Sequence, residues 1–305
     1  MNSRRLVFMG SKQGGLVALQ QLLRTLPFGT IKCALCPDDR SDTRTQYESF
    51  VSLASQSDIP LHLVRSVNET TELIRAYAPE VVIVHGWYRR IPVTKFPGIK
   101  FFGFHYSPLP RYRGNSPLIW QIINGELRSA VSFFLLTEGI DDGDLVDQAF
   151  FDLTPNEGIA DALNKAENIM LCILENFIPQ WLSGNIATRP QPNIPASYGG
   201  LRLPEDGRIS WHAGASHVHN FIRAQSRPYP GAYSLLVDGR VVRFWRSEVD
   251  SRSFYGAPGA VVEVADDGIT VACGTGAIKV LNAEFDTAAC SVMPPVLRSL
   301  KVRFQ

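Results

Sequence analysis

Short apolar runs alternate with longer amphipathic stretches through the first hundred residues. Five runs have the length and continuity of buried strands: 5–10, 31–36, 60–64, 81–84 and 100–104. Helical spacing of apolar residues predicts three helices between them: 17–26, 46–57 and 69–78. We expect Asn68 to cap the third helix. Strands that alternate with helices indicate βαβ units, so the sequence predicts an α/β, Rossmann-like domain with a mostly parallel sheet and helices on both faces.

The pattern changes after residue 104. It predicts a short helix over 118–124, paired strands over 130–136 and 145–153, and a long amphipathic helix over 158–182. The next stretch is rich in proline and glycine, which is typical of a linker. We therefore expect a first domain over 1–183, a linker over 184–204 and a second domain over 205–305.

The second domain is patterned as a small β-barrel. One helix is predicted over 216–223. Five short apolar segments separated by turn residues are predicted strands: 232–237, 240–246, 260–265, 268–272 and 277–284. Many short strands at even spacing favour a closed or nearly closed sheet.

Charge and composition exclude several classes of protein. The net charge of the 305 residues is +1, and residues 201–305 hold 12 basic and 10 acidic side chains, a net charge of +2. Neither value gives a field that would attract nucleic acid or an anionic membrane. No run approaches the roughly eighteen apolar residues needed to span a bilayer, and no signal peptide is recognisable. We expect a cytoplasmic protein.

The cysteines also indicate a cytoplasmic protein. There are five, an odd number, scattered through apolar runs: Cys33, Cys36, Cys172, Cys273 and Cys290. Such a set is typical of reduced thiols. The pair at 33 and 36 matches half a zinc site or a redox motif, but no second pair accompanies it. Buried structural thiols are the favoured interpretation, and no metal site is predicted.

Two segments carry candidate chemistry. The segment 104–114 (FHYSPLPRYRG) places His105 at the carboxyl end of an apolar strand, where open α/β sheets bind their ligands. The segment 139–144 (GIDDGD) supplies three carboxylates on a glycine-flanked turn. A histidine oriented by a carboxylate can move a proton near neutral pH, so the pair indicates an acyl-transfer enzyme.

Together these segments resemble the signature of the folate-dependent formyltransferases. That family includes methionyl-tRNA formyltransferase, glycinamide ribonucleotide transformylase and the nucleotide-amino-sugar N-formyltransferases. The interval of 36 residues from His105 to Asp141 matches as well as the composition. Three later segments, 207–211, 219–224 and 227–232, resemble the start of the OB-like C-terminal domain of the longer members. The resemblance therefore implies an OB-like second domain.

The resemblance also implies residue roles. Formyl-tetrahydrofolate would be the donor, and the unprotonated amine of the acceptor would be the nucleophile. His105 and Asp141 would be catalytic: the first polarises the formyl oxygen, and the second favours the imidazolium and helps to remove a proton from the amine. The implied cofactor-binding residues are Trp87, Tyr88, Arg89, Ile91, Ile140, Asp141, Gly143 and Asp144. The implied acceptor-binding residues are Met9, Gly10, Ser11, Ser107, Arg111 and Arg113.

Some of these assignments have structural alternatives. The two arginines at 111 and 113 either bind acceptor phosphates or brace their loop. Trp87 and Ile91 either form walls for the pterin or cover the end of the sheet. His85 is favoured as a structural histidine at a strand end rather than a second catalyst.

One position departs from the family pattern. The family has an asparagine two residues before the catalytic histidine, and this chain has Gly103 there. Loss of one donor to a developing oxyanion typically costs about 2.7–4 kcal/mol. Either another donor replaces it, such as a backbone N–H or Ser107, or the chain is a slower enzyme, or it is a non-catalytic binder.

The acceptor is inferred from the segment after the second strand. The tRNA-modifying members have a long basic insertion there, whereas residues 37–44 of this chain hold three acids and two bases. Binding to many phosphates requires clustered basic residues. A nucleotide-linked amino sugar is therefore favoured over initiator methionyl-tRNA. A formyl-tetrahydrofolate hydrolase remains an alternative function. The role of the second domain also stays open between support of the acceptor, nucleic-acid binding and homodimer formation.

Overall fold

The computed structural model describes residues 4–286 and 293–305, and Cys290 lies outside this range. The chain forms two compact units. The first comprises the described residues up to Gly114 together with 130–151 and 164–198. The second comprises 115–129, 152–163 and the described residues from Gly199 onward.

The first unit is built on a sheet that is mostly parallel, as predicted. The strands up to residue 199 are β1 (Leu6–Gly10), β2 (Ile31–Pro37), β3 (Leu61–Val64), β4 (Val81–His85), β5 (Lys100–His105), β6 (Arg113–Gly114), β7 (Arg128–Leu135), β8 (Leu145–Asp152) and β9 (Tyr198–Gly199). Seven of them form one sheet in the order β3-β2-β1-β4-β5-β7-β8. The pairs from β3 to β5 are parallel, and β7 is antiparallel to β5.

Helices cover both faces of this sheet. The α-helices of the described residues, taken over both units, are α1 (Lys12–Thr25), α2 (Tyr47–Gln56), α3 (Val67–Tyr77), α4 (Pro117–Ile123), α5 (Ile159–Ser183) and α6 (Ala215–Ala224). Val7 of β1 belongs to one core cluster with Ile74 of α3, whereas its neighbour Phe8 stacks on Phe50 of α2. Because successive strand residues point to opposite faces, α2 and α3 lie on different sides. The predicted Rossmann-like layering is confirmed.

Two helix starts differ from the prediction. Helix α1 begins at Lys12, five residues earlier than expected, because Gly14 and Gly15 lie inside the helix and not in a loop. A Cβ on Gly14 would come within 2.4 Å of His85 Nε2, so glycine permits α1 to approach the end of β4. Helix α3 is capped by Ser66, whose hydroxyl accepts from the backbone N–H of Glu69, and not by Asn68.

The second unit contains the five predicted strands. They are β10 (Ala232–Leu235), β11 (Val241–Asp250), β12 (Val261–Ala265), β13 (Gly268–Ala272) and β14 (Ala277–Phe285). They form an antiparallel sheet in the order β10-β11-β14-β13-β12. Helix α6 packs its apolar face on the sheet, since Val218 and Ile222 share a core cluster with Phe244 of β11.

The C-terminal segment of the chain hydrogen-bonds to both edges of this sheet. Gln305 exchanges backbone hydrogen bonds with Leu235 of β10, at 2.8 and 3.4 Å. Val302 O accepts from the N–H of Val261 in β12 at 3.2 Å. One segment therefore satisfies both edge strands, and the sheet closes as the predicted small barrel.

Both cysteines of the pair at 33 and 36 are buried free thiols. Cys33 belongs to the core cluster on the α3 side of the sheet. Burial raises the pKa of Cys33 to about 12, so its thiol stays protonated. The interpretation of this pair as structural is confirmed by their burial.

His85 at the end of β4 is enclosed by aromatic rings. Its Nε2 lies 3.0 Å from the Tyr106 hydroxyl, and its ring packs edge-on against Phe104. Although the residue keeps some exposed surface, loss of hydration around the ring lowers the pKa of His85 from 6.5 to about 4. The imidazole is therefore neutral at pH 7 and serves the packing of this strand end.

This burial predicts an acid-sensitive contribution to stability. Between pH 6.5 and pH 4 the unfolded chain binds a proton that folded His85 does not, so stability falls as the pH falls through this window. The pKa difference corresponds to roughly 3 kcal/mol. Urea unfolding at pH 7.5 and pH 4 should show this extra loss in the wild type but not in His85→Gln, whose amide can still bond Tyr106. An equal loss in both proteins would contradict the assignment.

Candidate active site

The structure brings the two predicted catalytic side chains together. His105 ends β5 and is 8% exposed, and its Nδ1 lies 3.5 Å from Asp141 Oδ2. Asp141 lies on the turn between β7 and β8, next to β5 in the sheet. Because β7 is antiparallel to β5, it ends at Leu135 opposite Phe102 and not opposite His105. The turn that follows β7 brings Asp141 back to His105.

The partners of His105 define which nitrogen carries a proton. Its Nε2 lies 2.7 Å from the carbonyl oxygen of Tyr112. A carbonyl oxygen only accepts hydrogen bonds, so Nε2 holds a proton. Nδ1 is then the ring nitrogen available to gain or lose one, and it faces a carboxylate. Both nitrogens therefore have acceptors beside them, an arrangement that the imidazolium satisfies with two donors.

The Asp141 turn is held in a conformation that aims its carboxylate. Asp141 has a φ of 48°, in the left-handed region that aspartate tolerates better than most residues. Its Oδ2 accepts from the backbone N–H of Gly114 at 2.7 Å, and this bond fixes the carboxylate beside His105. A Cβ on Gly143 would lie 1.9 Å from the carbonyl oxygen of Leu135, so that position requires glycine.

Gln191 clamps the same turn from outside it. Its side-chain nitrogen donates to the carbonyl oxygens of Asp141 at 2.7 Å and Gly143 at 2.9 Å. Its side-chain oxygen accepts from Arg113 Nη2 at 2.7 Å. Sequence reasoning missed Gln191 because it lies between two prolines in the expected linker, and only the fold brings it to the turn.

The predicted acceptor-binding residues of the His105 loop differ in their surroundings. Arg113 is half-buried and engaged with Gln191, which favours the loop-bracing alternative for this residue. Arg111 is half-buried, with its guanidinium 5.5 Å from the centre of the Tyr112 ring. Ser107 is fully buried, and its hydroxyl donates to the carbonyl oxygen of Arg111 at 2.7 Å.

The predicted acceptor-binding residues at the end of β1 are also buried. Met9 is a core residue of the sheet, and Gly10 packs against His85, whose carbonyl oxygen would be 2.8 Å from a Cβ there. Ser11 is 3% exposed, and its hydroxyl donates to the carbonyl oxygen of Gly86 at 2.6 Å. All three residues therefore contribute to the packing of β1 against the end of β4.

The two loops expected to enclose the donor are tied to each other. The loop after β4 contains the predicted residues Trp87, Tyr88, Arg89 and Ile91. Arg90 in this loop and Thr94 both bond Glu138, which directly precedes the Asp141 turn, at 2.6 and 2.7 Å. Hydrogen bonds from Thr94 and Arg90 lower the pKa of Glu138, so it is ionised and keeps both bonds at neutral pH.

Within these loops, some apolar side chains are half-buried and others are exposed. Trp87 and Ile91 are half-buried against the sheet core, while Arg89 donates to the carbonyl oxygen of Val64 at 2.9 Å. Tyr88 is 54% exposed and Ile140 is 61% exposed. Asp144 is exposed as well. The exposed apolar side chains of these loops are available to contact a planar ligand.

The space next to Gly103 is occupied by another side chain. A Cβ at this position would lie 3.0 Å from Leu136 Cδ2 and 3.5 Å from Phe134 Cε1. Leu136 follows β7 and is held by a backbone bond to Phe101 at 2.8 Å. A larger side chain at this position would therefore require Leu136 to shift by a few tenths of an ångström, so the glycine is matched to its neighbour in the fold.

Within residues 4–286 and 293–305, no three His, Cys, Asp or Glu side chains are grouped so as to hold a metal ion. In the same part of the chain, no helix has both the length and the apolar character needed to cross a membrane.

Comparison with solved structures identifies proteins with the same fold. The N-formyltransferase from Helicobacter canadensis, solved with folinic acid and dTDP-3-aminofucose, is 19% identical with a TM-score of 0.69, covering 91% of this chain and 99% of that one. Methionyl-tRNA formyltransferase from Clostridium thermocellum is 20% identical with a TM-score of 0.58, covering 83% and 97%. HypX from Aquifex aeolicus in complex with tetrahydrofolic acid is 18% identical with a TM-score of 0.63; the match covers 94% of this chain but 45% of HypX.

Family models extend the likeness from fold to sequence. The model of the formyl transferase family matches residues 43–172, which include His105 and Asp141. The model of the formyl transferase C-terminal domain matches residues 203–293. Together the two models match well over half of the sequence, and the chain belongs to the formyl transferase family of enzymes.

Proposed function

We propose that this enzyme transfers a formyl group from formyl-tetrahydrofolate to the amine of a nucleotide-linked amino sugar. The observation that carries the proposal is the contact between His105 and Asp141 inside the matched family region. The proposed donor is supported by two structures with this fold, one solved with tetrahydrofolic acid and the other with folinic acid.

The chemistry follows from the groups at the site. The donor supplies the formyl group when bound. The acceptor nitrogen forms a bond to the formyl carbon, the bond from that carbon to the folate nitrogen breaks, and the proton lost by the amine is balanced by one gained by the folate nitrogen. His105, through Nδ1, donates to the formyl oxygen as negative charge develops there. Asp141 stabilises the imidazolium and accepts the amine proton.

The position of the catalytic pair also provides orientation. Asp141 is fixed by Gly114 and Gln191, and His105 is fixed by the carbonyl oxygen of Tyr112. Groups held in this way do not have to be ordered during the reaction, which accounts for a large part of the rate gain in a transfer between two substrates.

Gly103 occupies the position of the usual asparagine, so the amide donor of that residue is absent. Ser107 was one candidate to replace its donor, but the Ser107 hydroxyl donates to Arg111. The remaining donors for the formyl oxygen are His105 and backbone N–H groups. We propose that Gly103 and Leu136 form an apolar wall beside the formyl group and that the imidazolium supplies the principal hydrogen bond.

The proposed acceptor class rests on the charge of the loop after β2. Lys12 bonds Asp39 and Asp42 at 2.6 and 2.8 Å, and Arg44 also bonds Asp42. Burial acts to raise the pKa of Asp42, but the bonds from Arg44 and Lys12 outweigh it and hold this pKa well below its usual range. The loop's basic groups are thus neutralised internally, which disfavours a polyanion such as tRNA. The H. canadensis enzyme, solved with dTDP-3-aminofucose, supports a sugar nucleotide.

The acceptor panel is the test of this proposal. Release of tetrahydrofolate would be followed with formyl-tetrahydrofolate alone, with several nucleotide-linked amino sugars, and with initiator methionyl-tRNA. We expect release to depend on an amino sugar. Release that depends only on the tRNA would overturn the acceptor class, and equal release without any acceptor would identify a hydrolase.

A further inference from the structure

A cavity of about 360 Å³ opens in the second unit, between α6, β11 and the loop that precedes α5. Arg223, Trp245 and Arg246 are among its lining residues, together with Asn156, Asp161 and Glu248. Its volume lies within the range of small-molecule pockets. None of the residues assigned above to the candidate active site lines it.

Arg223 is a buried charge whose hydrogen-bond acceptors are all neutral groups. It is 6% exposed, its Nε donates to Asn220 Oδ1 at 2.8 Å, and its Nη1 donates to the carbonyl oxygens of Thr154 and Glu157 at 3.1 and 2.9 Å. Guanidinium groups stay charged in proteins, and a buried charge ordinarily has a charged partner. Within the described ranges, no carboxylate lies within 4 Å of Arg223: the Glu157 carboxylate, which accepts from the Thr154 N–H, acts on the guanidinium from a longer distance, and the Nη2 of Arg223 has no protein acceptor. Two N–H donors therefore remain for the cavity.

His219, one helical turn before Arg223, does not supply the missing partner. Its Nε2 donates to the carbonyl oxygen of Pro155 at 2.9 Å, so its Nδ1 accepts from the Ser247 hydroxyl at 3.1 Å. Burial lowers the pKa of His219, so the ring is neutral at pH 7 and both nitrogens are satisfied. Arg223 is left as the buried charge of this cavity.

One wall is made by a bulge in β11. Phe244 pairs with Ala283 and Arg246 pairs with Asn282, so Trp245 is an extra residue in the strand. A bulge re-aims side chains, and here two consecutive residues, Trp245 and Arg246, both line the cavity. The Trp245 ring is backed by the Arg227 guanidinium, 4.6 Å from the ring centre. The result is an aromatic wall held in place beside a charged group.

The other charges at the cavity are exposed. Arg246 and Glu248 are 3.8 Å apart, and the Asp161 carboxylate accepts from the Gly158 N–H at 3.0 Å. Solvent and salt screen these surface groups more strongly than a buried one. Arg223 is therefore the least screened of the charged groups that line the cavity, and an anion is the ligand that it would stabilise.

We propose that this cavity binds the phosphate group of a small phosphorylated metabolite no larger than a mononucleotide. Arg223 Nη2 presents two N–H groups to the phosphate oxygens, a geometry that suits guanidinium–phosphate recognition. Trp245 lines the space for the remainder of the ligand. This site is separate from the acceptor proposed above and does not depend on that proposal.

Calorimetric titration of the full chain with inorganic phosphate tests the site. Arg223→Gln removes charge-assisted hydrogen bonds and should weaken binding about 10- to 100-fold. Arg246→Gln should weaken binding and Glu248→Gln should strengthen it, each about 1.5- to 5-fold. Arg252→Gln is the control, because this exposed arginine pairs with Asp250 and Glu263 and does not line the cavity.

The pattern of changes decides the outcome. Opposite shifts in Arg246→Gln and Glu248→Gln support the site even if Arg223→Gln fails to fold, because both residues are exposed. Absence of phosphate binding to the wild-type protein would overturn the proposal. Binding that is unchanged in Arg246→Gln and Glu248→Gln would place the ligand elsewhere and would overturn it as well.

Discussion

Replacing His105 with glutamine should lower kcat for formyl transfer by roughly 10²–10⁴-fold. The glutamine amide N–H can still donate to the carbonyl oxygen of Tyr112, which His105 Nε2 contacts at 2.7 Å. What the variant loses is Nδ1, the atom that faces Asp141 and can hold or deliver a proton. Steady-state kinetics with saturating donor and acceptor would measure the change.

Two controls separate a chemical loss from a structural one. Thermal unfolding of His105→Gln should resemble that of the wild type, because the buried hydrogen bond is kept. Donor affinity, measured by equilibrium titration, should also change little, since the interaction removed acts on the transition state. A kcat within tenfold of the wild type would show that His105 is not the proton-handling group.

Replacing Asp141 with asparagine should lower kcat on the order of 10²-fold or more while preserving the turn. Asparagine tolerates the positive φ of 48° at this position, and its oxygen can still accept from the Gly114 N–H. Because Asp141 Oδ2 both accepts from Gly114 and faces His105 Nδ1, the asparagine oxygen would take that position without the negative charge. The variant thus removes the charge that is proposed to assist proton transfer and keeps the hydrogen bond that orients the turn.

Asp142→Asn is the matched control for this variant. Asp142 is the next residue, is exposed, and accepts a hydrogen bond from the Thr137 hydroxyl rather than contacting His105. Its substitution should leave kcat near the wild-type value under the same assay. If Asp142→Asn were the more damaged of the two, the roles of the carboxylates on this turn would have to be exchanged.

The layered fold could be predicted because burial leaves a periodic record in the sequence. The apolar runs of β1, β2 and β4 are buried on both faces, and the five short strands of the second unit are separated by turn residues. The start of α1 could not be predicted in this way. Gly14 and Gly15 read as a loop locally, and their use in close helix packing depends on His85, seventy residues away.

The site was predictable to the extent that its residues form a local motif. His105 and Asp141 were identified from their flanking sequences, and the structure places them in contact. Three residues were not identified. Gln191 and Glu138 each bond a loop that is distant from them in the chain. Leu136 fills a space beside Gly103 that only the fold defines. Several implied acceptor-binding residues, such as Ser107, are buried for the same reason: loop packing depends on tertiary neighbours.

The path of the transferred carbon tests the central claim most directly. Formyl-tetrahydrofolate labelled with ¹³C in its formyl group would be incubated with the enzyme and a nucleotide-linked amino sugar, and the label would be located by NMR. The account predicts label in an N-formyl group on the sugar, absent with His105→Gln. Label recovered as free formate, or retained on the folate with all acceptors, would contradict it.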